Sequence, residues 1–239
     1  MRIKLLGTGH GVPEAERKCS AILVRAKSNS YFFDMGSDVV QDMARLALPL
    51  NTVKAVFISH PHGDHTDGLV SFCDIISWYY TDCRPTFFLP NEPSINALKG
   101  WMDGYGDGFG KLDVRRARDG ELFDDGVIKV TAYPNKHCPD SRSYLVESEG
   151  KKLLYTADLK RPGIDFPPVN EADLVICEGA HFSVSEYEPI FKERDFKRAI
   201  ITHFGTSIGL KNIEAARDLA KAMAPMDVSL ARDGMEAEI

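Results

Sequence analysis

Apolar residues in this chain gather in short runs, and many of the runs stop at a polar or ionisable side chain. The run 53–58 leads to Ser59 and His60, 128–134 to His137, and 152–157 to Asp158. The run 174–177 leads to Glu178 and His181, and 199–202 to His203. Short β-branched and aliphatic runs of this kind read as buried strands, with the polar residues at their C-terminal ends. Several strand ends meeting at one edge of a layered fold gather those residues in space. Asp124-Asp125-Gly126 and Glu149-Gly150 separate strand-like runs and read as hairpin turns. Helical stretches are expected at 38–48, at 67–80 with an acidic start, at 93–102 opening on Pro93, and at 211–223. The last of these carries Ile213, Ala216, Ala220 and Met223 on one stripe. A final strand is expected near 228–230. Strands in two groups with helices between them predict an α/β molecule, sheet packed on sheet with helices outside. No linker, repeat or low-complexity tract divides residues 1–239, so a single domain is expected.

The densest chemistry is Ser59-His60-Pro61-His62-Gly63-Asp64-His65. Neutral imidazoles and carboxylates are the first-row metal ligands of hydrolytic sites. His60 and His62 alternate, so in extended chain they point the same way. Gly63 lets the chain turn and present Asp64 and His65 from a second angle. Two pairs at two angles suit two metals better than one.

The string H-x-H-x-D-H resembles the signature of the metallo-β-lactamase superfamily. Candidates for that family's remaining ligands follow in order: His137, Asp158 and His203. The resemblance implies a four-layer αββα sandwich of two mixed sheets packed face to face. It also implies two divalent ions, zinc first, with manganese or iron as alternatives. His60, His62 and His137 would hold one ion and Asp64, His65 and His203 the other, with Asp158 bridging. Water shared between two such metals loses a proton readily and becomes a nucleophile at neutral pH. Asp64 would also orient that nucleophile. In resembling phosphodiesterases a non-ligand histidine in the interval of His181 helps protonate the leaving alkoxide, so His181 is the candidate general acid. Asp34 matches an aspartate that supports the ligand loop. His10 is a weaker candidate for contact with substrate, and Arg142 for contact with phosphate.

The opening Leu6-Gly7-Thr8-Gly9-His10-Gly11-Val12-Pro13 resembles the branch of ribonuclease Z and the cyclic phosphodiesterases. The ending Arg232-Asp233-Gly234-Met235-Glu236 is similar to the tail of the cyclic phosphodiesterases of phosphonate operons. The chain departs from both. No long insertion separates His137 from Asp158, where ribonuclease Z carries its tRNA-gripping arm. No cysteine cluster follows Pro13, where the phosphonate-operon enzymes hold a structural zinc; Cys19 stands alone. The expected activity is therefore hydrolysis of a small phosphodiester, cyclic ones included, through a metal-bridging hydroxide. The alternatives are a lactone, ester or thioester hydrolase with the same metals, and a non-catalytic accessory or ligand-binding member of the fold.

Composition narrows the partners. A net charge of −6 and a pI near 5.7 argue against a broad nucleic-acid surface. No apolar run approaches a membrane span, and residues 1–7 enter a strand without a signal-like apolar stretch. The five cysteines form no C-x-x-C pair and read as reduced, packed thiols. A cytoplasmic protein with a small-molecule substrate is expected, and a homodimer is left open. The Gly-rich segment 103–110 fails as a calcium loop, because Val114 stands where an acidic ligand belongs. A mobile surface loop is expected there, and with Trp101 just before it, Tyr105 and Phe109 make a lid over the site mouth the alternative.

Overall fold

The computed structural model describes residues 1–12, 14–104, 106–205 and 209–239; of helical residues 209–212 it describes the backbone alone. Pro13 and Tyr105, named above in the opening motif and the candidate lid, lie outside the described residues. The first sheet is built from β1 (Arg2–Gly7), β2 (Ala21–Ala26), β3 (Asn29–Met35), β4 (Val53–Phe57), β5 (Thr86–Leu89) and β6 (Asp113–Arg116). The second begins with β7 (Gly120–Asp124), β8 (Lys129–Pro134), β9 (Arg142–Ser148) and β10 (Lys151–Tyr155). After the short β11 (Glu171–Ala172) come β12 (Leu174–Glu178), the short β13 (Asp195–Phe196), β14 (Arg198–Thr202) and β15 (Asp227–Leu230). The last strand, β16 (Glu236–Glu238), returns to pair antiparallel with β1.

The strand orders are β16-β1-β2-β3-β4-β5-β6 and β15-β14-β12-β10-β9-β8-β7. Each sheet is antiparallel over one part and parallel over the other. The pairs β3/β4, β4/β5 and β5/β6 are parallel, as are β10/β12, β12/β14 and β14/β15. Both predicted hairpins form, β7/β8 and β9/β10. Glu149 and Gly150 have φ of 52° and 74°, the left-handed pair that a tight two-residue hairpin requires.

Alternation along the strands builds three cores. Leu5, Ile22, Val24, Phe33, Phe57, Tyr144, Val146, Leu153 and Ile176 meet between the sheets. The opposite face of the first sheet, including Leu23, Phe32 and Val56, is covered by α1 (Val39–Arg45), α3 (Leu69–Trp78) and α4 (Glu92–Asp103). The opposite face of the second, including Leu154, Val175 and Ile201, is covered by α6 (Glu188–Glu193) and α7 (Gly209–Ala222). Strands buried on both faces carry nearly continuous apolar runs, which is why the sequence exposed them. The layering is the expected αββα sandwich.

The expected helices shift at their edges. A separate turn, α2 (Gly63–Thr66), precedes the stretch 67–80, and α3 starts only after Gly68. A Cβ on Gly68 would lie 2.0 Å from the Ser37 carbonyl oxygen, so this close approach requires glycine. The helix expected from Pro93 begins at Glu92, with the Asn91 side chain accepting from Ser94 N. Among the described residues no helix is long and apolar enough to cross a membrane. The cysteines are free, and Cys73, Cys83 and Cys177 are buried.

Candidate metal centre

The parallel strands deliver their ends to one edge. His60 follows β4, Asp158 follows β10, His181 follows β12 and His203 follows β14; His137 follows the antiparallel β8. Asp34, Ala157 and His203 adopt positive φ of 60°, 51° and 58° at or just beyond strand ends. Non-glycine residues held there are strained, and such strain collects at functional sites.

Donor atoms of His60, His62 and His137 lie within 4.8 Å of one another, and so do those of Asp64, His65 and His203. The His62 Nδ1 is 3.0 Å from His60 Nε2 and 3.2 Å from His137 Nε2. Ligands on a tetrahedral ion with bonds near 2.0–2.1 Å sit about 3.3 Å apart, and the two separations from His62 Nδ1 are of that size. Asp158 belongs to both neighbourhoods. Its Oδ2 is 3.7 Å from His60 Nε2 and from His137 Nε2, and 3.2 Å from His203 Nε2; its Oδ1 is 3.5 Å from His65 Nε2. Asp64 Oδ2 is 3.7 Å from both His65 Nε2 and His203 Nε2.

A buried outer layer sets the imidazole tautomers. Asp34 accepts from Ser59 N at 2.7 Å, Ser59 Oγ at 2.8 Å, Tyr155 OH at 2.7 Å and His65 Nδ1 at 2.8 Å. Because the Ser59 hydroxyl donates to Asp34, its oxygen is left to accept from His60 Nδ1 at 2.9 Å. Ser20 Oγ donates to Gly9 O, a long 3.4 Å contact, and so takes the same role toward His203 Nδ1 at 2.7 Å. With Nδ1 of His60, His65 and His203 each donating outward, each Nε2 turns a lone pair inward. Partners that fix the tautomer in this way are what ligating histidines require. His65 Nε2, His203 Nε2 and Asp158 Oδ1 are buried and have no hydrogen-bond partner. Buried polar atoms without partners are rare and unfavourable, and here all three border one gap.

The electrostatics lead to the same gap. Burial pushes the Asp158 carboxyl up, but the imidazoles of His203 and His65 outweigh it and hold it well below its ordinary value. Burial pushes His65 down, but Asp158 and Asp34 on its two sides hold it well above. Burial and neighbouring imidazoles lower His60, and burial outweighs Asp158 to lower His137 to about 4. The buried carboxylate calls for positive charge in the gap, which a proton on His65 or a divalent ion in its place would supply. The donor set fits divalent metal binding.

His181 stands beside this cluster, its ring 4.7 Å from that of His137 and 5.9 Å from that of His203. Its Nδ1 is committed to Glu178 Oε2 at 2.8 Å and lies 3.9 Å from Asp158 Oδ2. Burial lowers the imidazole, but the hydrogen bond to Glu178 outweighs this and raises it. Glu178 also accepts from the backbone N–H of Leu159, Ala180 and His181. The sequence reading passed over Glu178 as a site residue. Its signal was a glutamate closing an otherwise apolar strand, a buried charge that must find a partner. Ser20, Ser59 and Tyr155 were also passed over, because their roles depend on contacts between strands far apart in sequence.

Arg142 is buried, and its Nε and Nη1 are engaged. It donates to Asp119 at 2.9 Å and to the carbonyl oxygens of Pro90 and Asp140. Through these two nitrogens it braces the loops around the site. Phe109 packs against the outer core of the first sheet, and Trp101 lines an apolar cleft of about 450 Å³ between α3 and α4. Pro61, flanked by His60 and His62, lines the same cleft together with Leu69, Leu89 and Pro90.

The family model described as anti-Pycsar protein Apyc1 matches residues 1–186, which include every candidate site residue except His203. A ribonuclease BN of Escherichia coli O7:K1 is 30% identical over 183 residues, covering 72% of this chain and 58% of that protein. The chain thus spans little more than half the length of this curated relative. The crystal structure of human tRNase Z, short form, superposes with a TM-score of 0.75 at 21% identity, covering 100% of this chain and 99% of that one. A diphosphatase from the PhnP family superposes with a TM-score of 0.73 at 17% identity, covering 100% and 97%.

Proposed function

The chain belongs to the anti-Pycsar protein Apyc1 family and has the metallo-β-lactamase fold, and from that membership we propose that it is a dinuclear phosphodiesterase acting on small, including cyclic, phosphodiesters. The observation that carries the reading is the gap around Asp158, with the lone pairs of His60, His65 and His203 and three buried orphan atoms turned toward it. His60, His62 and His137 would hold one ion, Asp64, His65 and His203 the other, and Asp158 both. Zinc is the first assignment, with manganese and iron as alternatives on the same ligands. When bound, the metals supply a deprotonated water at neutral pH and neutralise charge on the phosphate oxygens.

The chain's own groups do the rest. The Asp64 carboxylate is placed to accept a hydrogen bond from the attacking water and aim it. His181, its Nδ1 held by Glu178, keeps Nε2 for delivering a proton to the leaving oxygen. A leaving alkoxide requires such a proton, and a positioned acid contributes about 10²–10⁴ in rate. Protonated His181 is favoured by the Glu178 carboxylate, as a general acid requires.

Three observations support a small substrate. His137 and Asp158 are joined by a tight turn and the β9/β10 hairpin, with no extended arm between them. The net charge is −6, unsuited to gripping a long polyanion. The cleft beside Pro61 is of a size to receive the organic part of a small diester. Likeness to ribonuclease BN favours RNA as the second reading. A panel of bis-p-nitrophenyl phosphate, cyclic nucleotides, a lactone, a thioester and precursor tRNA separates them. Turnover of the small diesters is expected. Cleavage of precursor tRNA alone, or of lactone or thioester alone, would refute the proposal.

A further inference from the structure

The seven candidate ligands and His181 leave one more imidazole at this edge. We propose that His10 is a substrate-binding residue whose Nε2–H donates to a phosphate oxygen of the bound diester; this rests on the phosphodiesterase reading above. His10 follows β1, on a loop stitched to the end of β14. Its N–H donates to Phe204 O at 3.0 Å, Phe204 N donates to Thr8 O at 3.2 Å, and Gly9 N donates to Lys18 O at 2.8 Å. Asp233 clamps the base of the loop, accepting from Thr8 N, Thr8 Oγ1 and Lys18 N at 2.7–2.9 Å. The loop is therefore held by the element that carries His203.

The His10 ring lies 5.2 Å from that of His203 and 5.8 Å from that of His181, centroid to centroid. Its orientation is fixed from two sides. Val12 N donates to His10 Nδ1 at 3.2 Å. A Cβ on Gly205 would come within 3.2 Å of His10 Cβ and Cγ, so glycine there makes room for the ring. With Nδ1 accepting, a neutral ring carries its proton on Nε2. Among the described residues nothing accepts from that nitrogen. His10 also belongs to none of the four groups of donor atoms among the described residues that could hold an ion. A neutral N–H held beside both the metal centre and the candidate acid is suited to a phosphate oxygen that two cations leave exposed. It adds a hydrogen bond without adding charge. Gly11, next in the chain, approaches the Asp64 carboxyl so closely that a Cβ would lie 3.1 Å from its Cγ, which brings the loop against the ligand set as well.

The test compares metal-loaded wild type with His10→Ala and His10→Gln. Metal content, KM and kcat for bis-p-nitrophenyl phosphate, and the Kd for inorganic phosphate by calorimetry are measured. The Ala variant should keep its metal and show KM and phosphate Kd raised roughly 10–100-fold, the range for a lost hydrogen bond to a charged group, with a smaller fall in kcat. The Gln amide reaches about as far as Nε2 and should restore most of the affinity. Unchanged KM and Kd in the Ala variant, or equal losses in both variants, would overturn the donor role. Loss of metal would make His10 a ligand or scaffold residue instead. If wild type turns over no diester, the phosphodiesterase reading fails by itself, and the phosphate Kd still decides the role of His10.

Discussion

Asp158 stands in both ligand groups, so its removal cannot have a local effect. Asp158→Ala should weaken retention of both ions together and lower turnover by several orders of magnitude, as read by elemental analysis and initial rates. His203→Ala should deplete one ion preferentially. Retention of both ions with normal turnover in Asp158→Ala would end the bridging assignment. His181 makes the opposite prediction. Its Nδ1 is already held by Glu178 at 2.8 Å, so His181→Ala should leave metal content unchanged. Turnover should fall by about 10²–10⁴ for a diester with an alkoxide leaving group. It should fall little for a nitrophenyl diester, whose leaving group requires no proton. Equal losses on the two substrates would argue against proton donation. The ligand candidates themselves were legible in sequence, because H-x-H-x-D-H keeps its chemistry within six residues. Glu178 was harder to see because the contact that commits its carboxylate, with the Leu159 N–H beyond β10, forms only when β10 and β12 pack side by side.

At the scale of elements, strands buried on both faces announced themselves as apolar runs, and the structure brings their polar terminal residues together. β16 did not, since Glu236-Ala237-Glu238 buries Ala237 alone and gives no run. The break between α2 and α3 was also hidden, because it arises from Gly68 meeting the Ser37 carbonyl across space. Asp173, at the entry to β12, gives a test of how strands are tied. It accepts from Lys152 N at 2.9 Å and from the ammonium groups of Lys197 and Lys151 at 2.8 and 3.3 Å. Burial pushes its carboxyl up, but these bonds outweigh it and lower it to about 2. An unfolded aspartate titrates at about 3.9. A lowered folded value gives stability that is complete above the unfolded value and lost as pH falls through the folded one. Asp173→Asn should therefore destabilise the protein at pH 7, and the difference from wild type should narrow as pH falls from 5 through 3. Urea titrations of both proteins across that range provide the comparison. A constant difference would mean that the Asp173 charge is not responsible.

At the scale of the whole molecule, two sheets bring residues from six strand ends to one edge, and the proposal of a small substrate rests on the net charge of −6 and the short link from His137 to Asp158. The layered architecture was legible because binary patterning and the order of the ligand motifs agree. The outer layer of Ser20, Asp34, Ser59 and Tyr155 was legible only at Asp34, because hydroxyls acquire their roles only when the strands pack. The central claim is that two ions in the gap around Asp158 make this chain a phosphodiesterase. It is tested most directly by adding zinc or manganese stepwise to metal-free protein while following hydrolysis of a cyclic nucleotide. Activity should start near zero, rise with added metal and level off at two equivalents per chain. A plateau at one equivalent, or full activity in the metal-free protein, would contradict it.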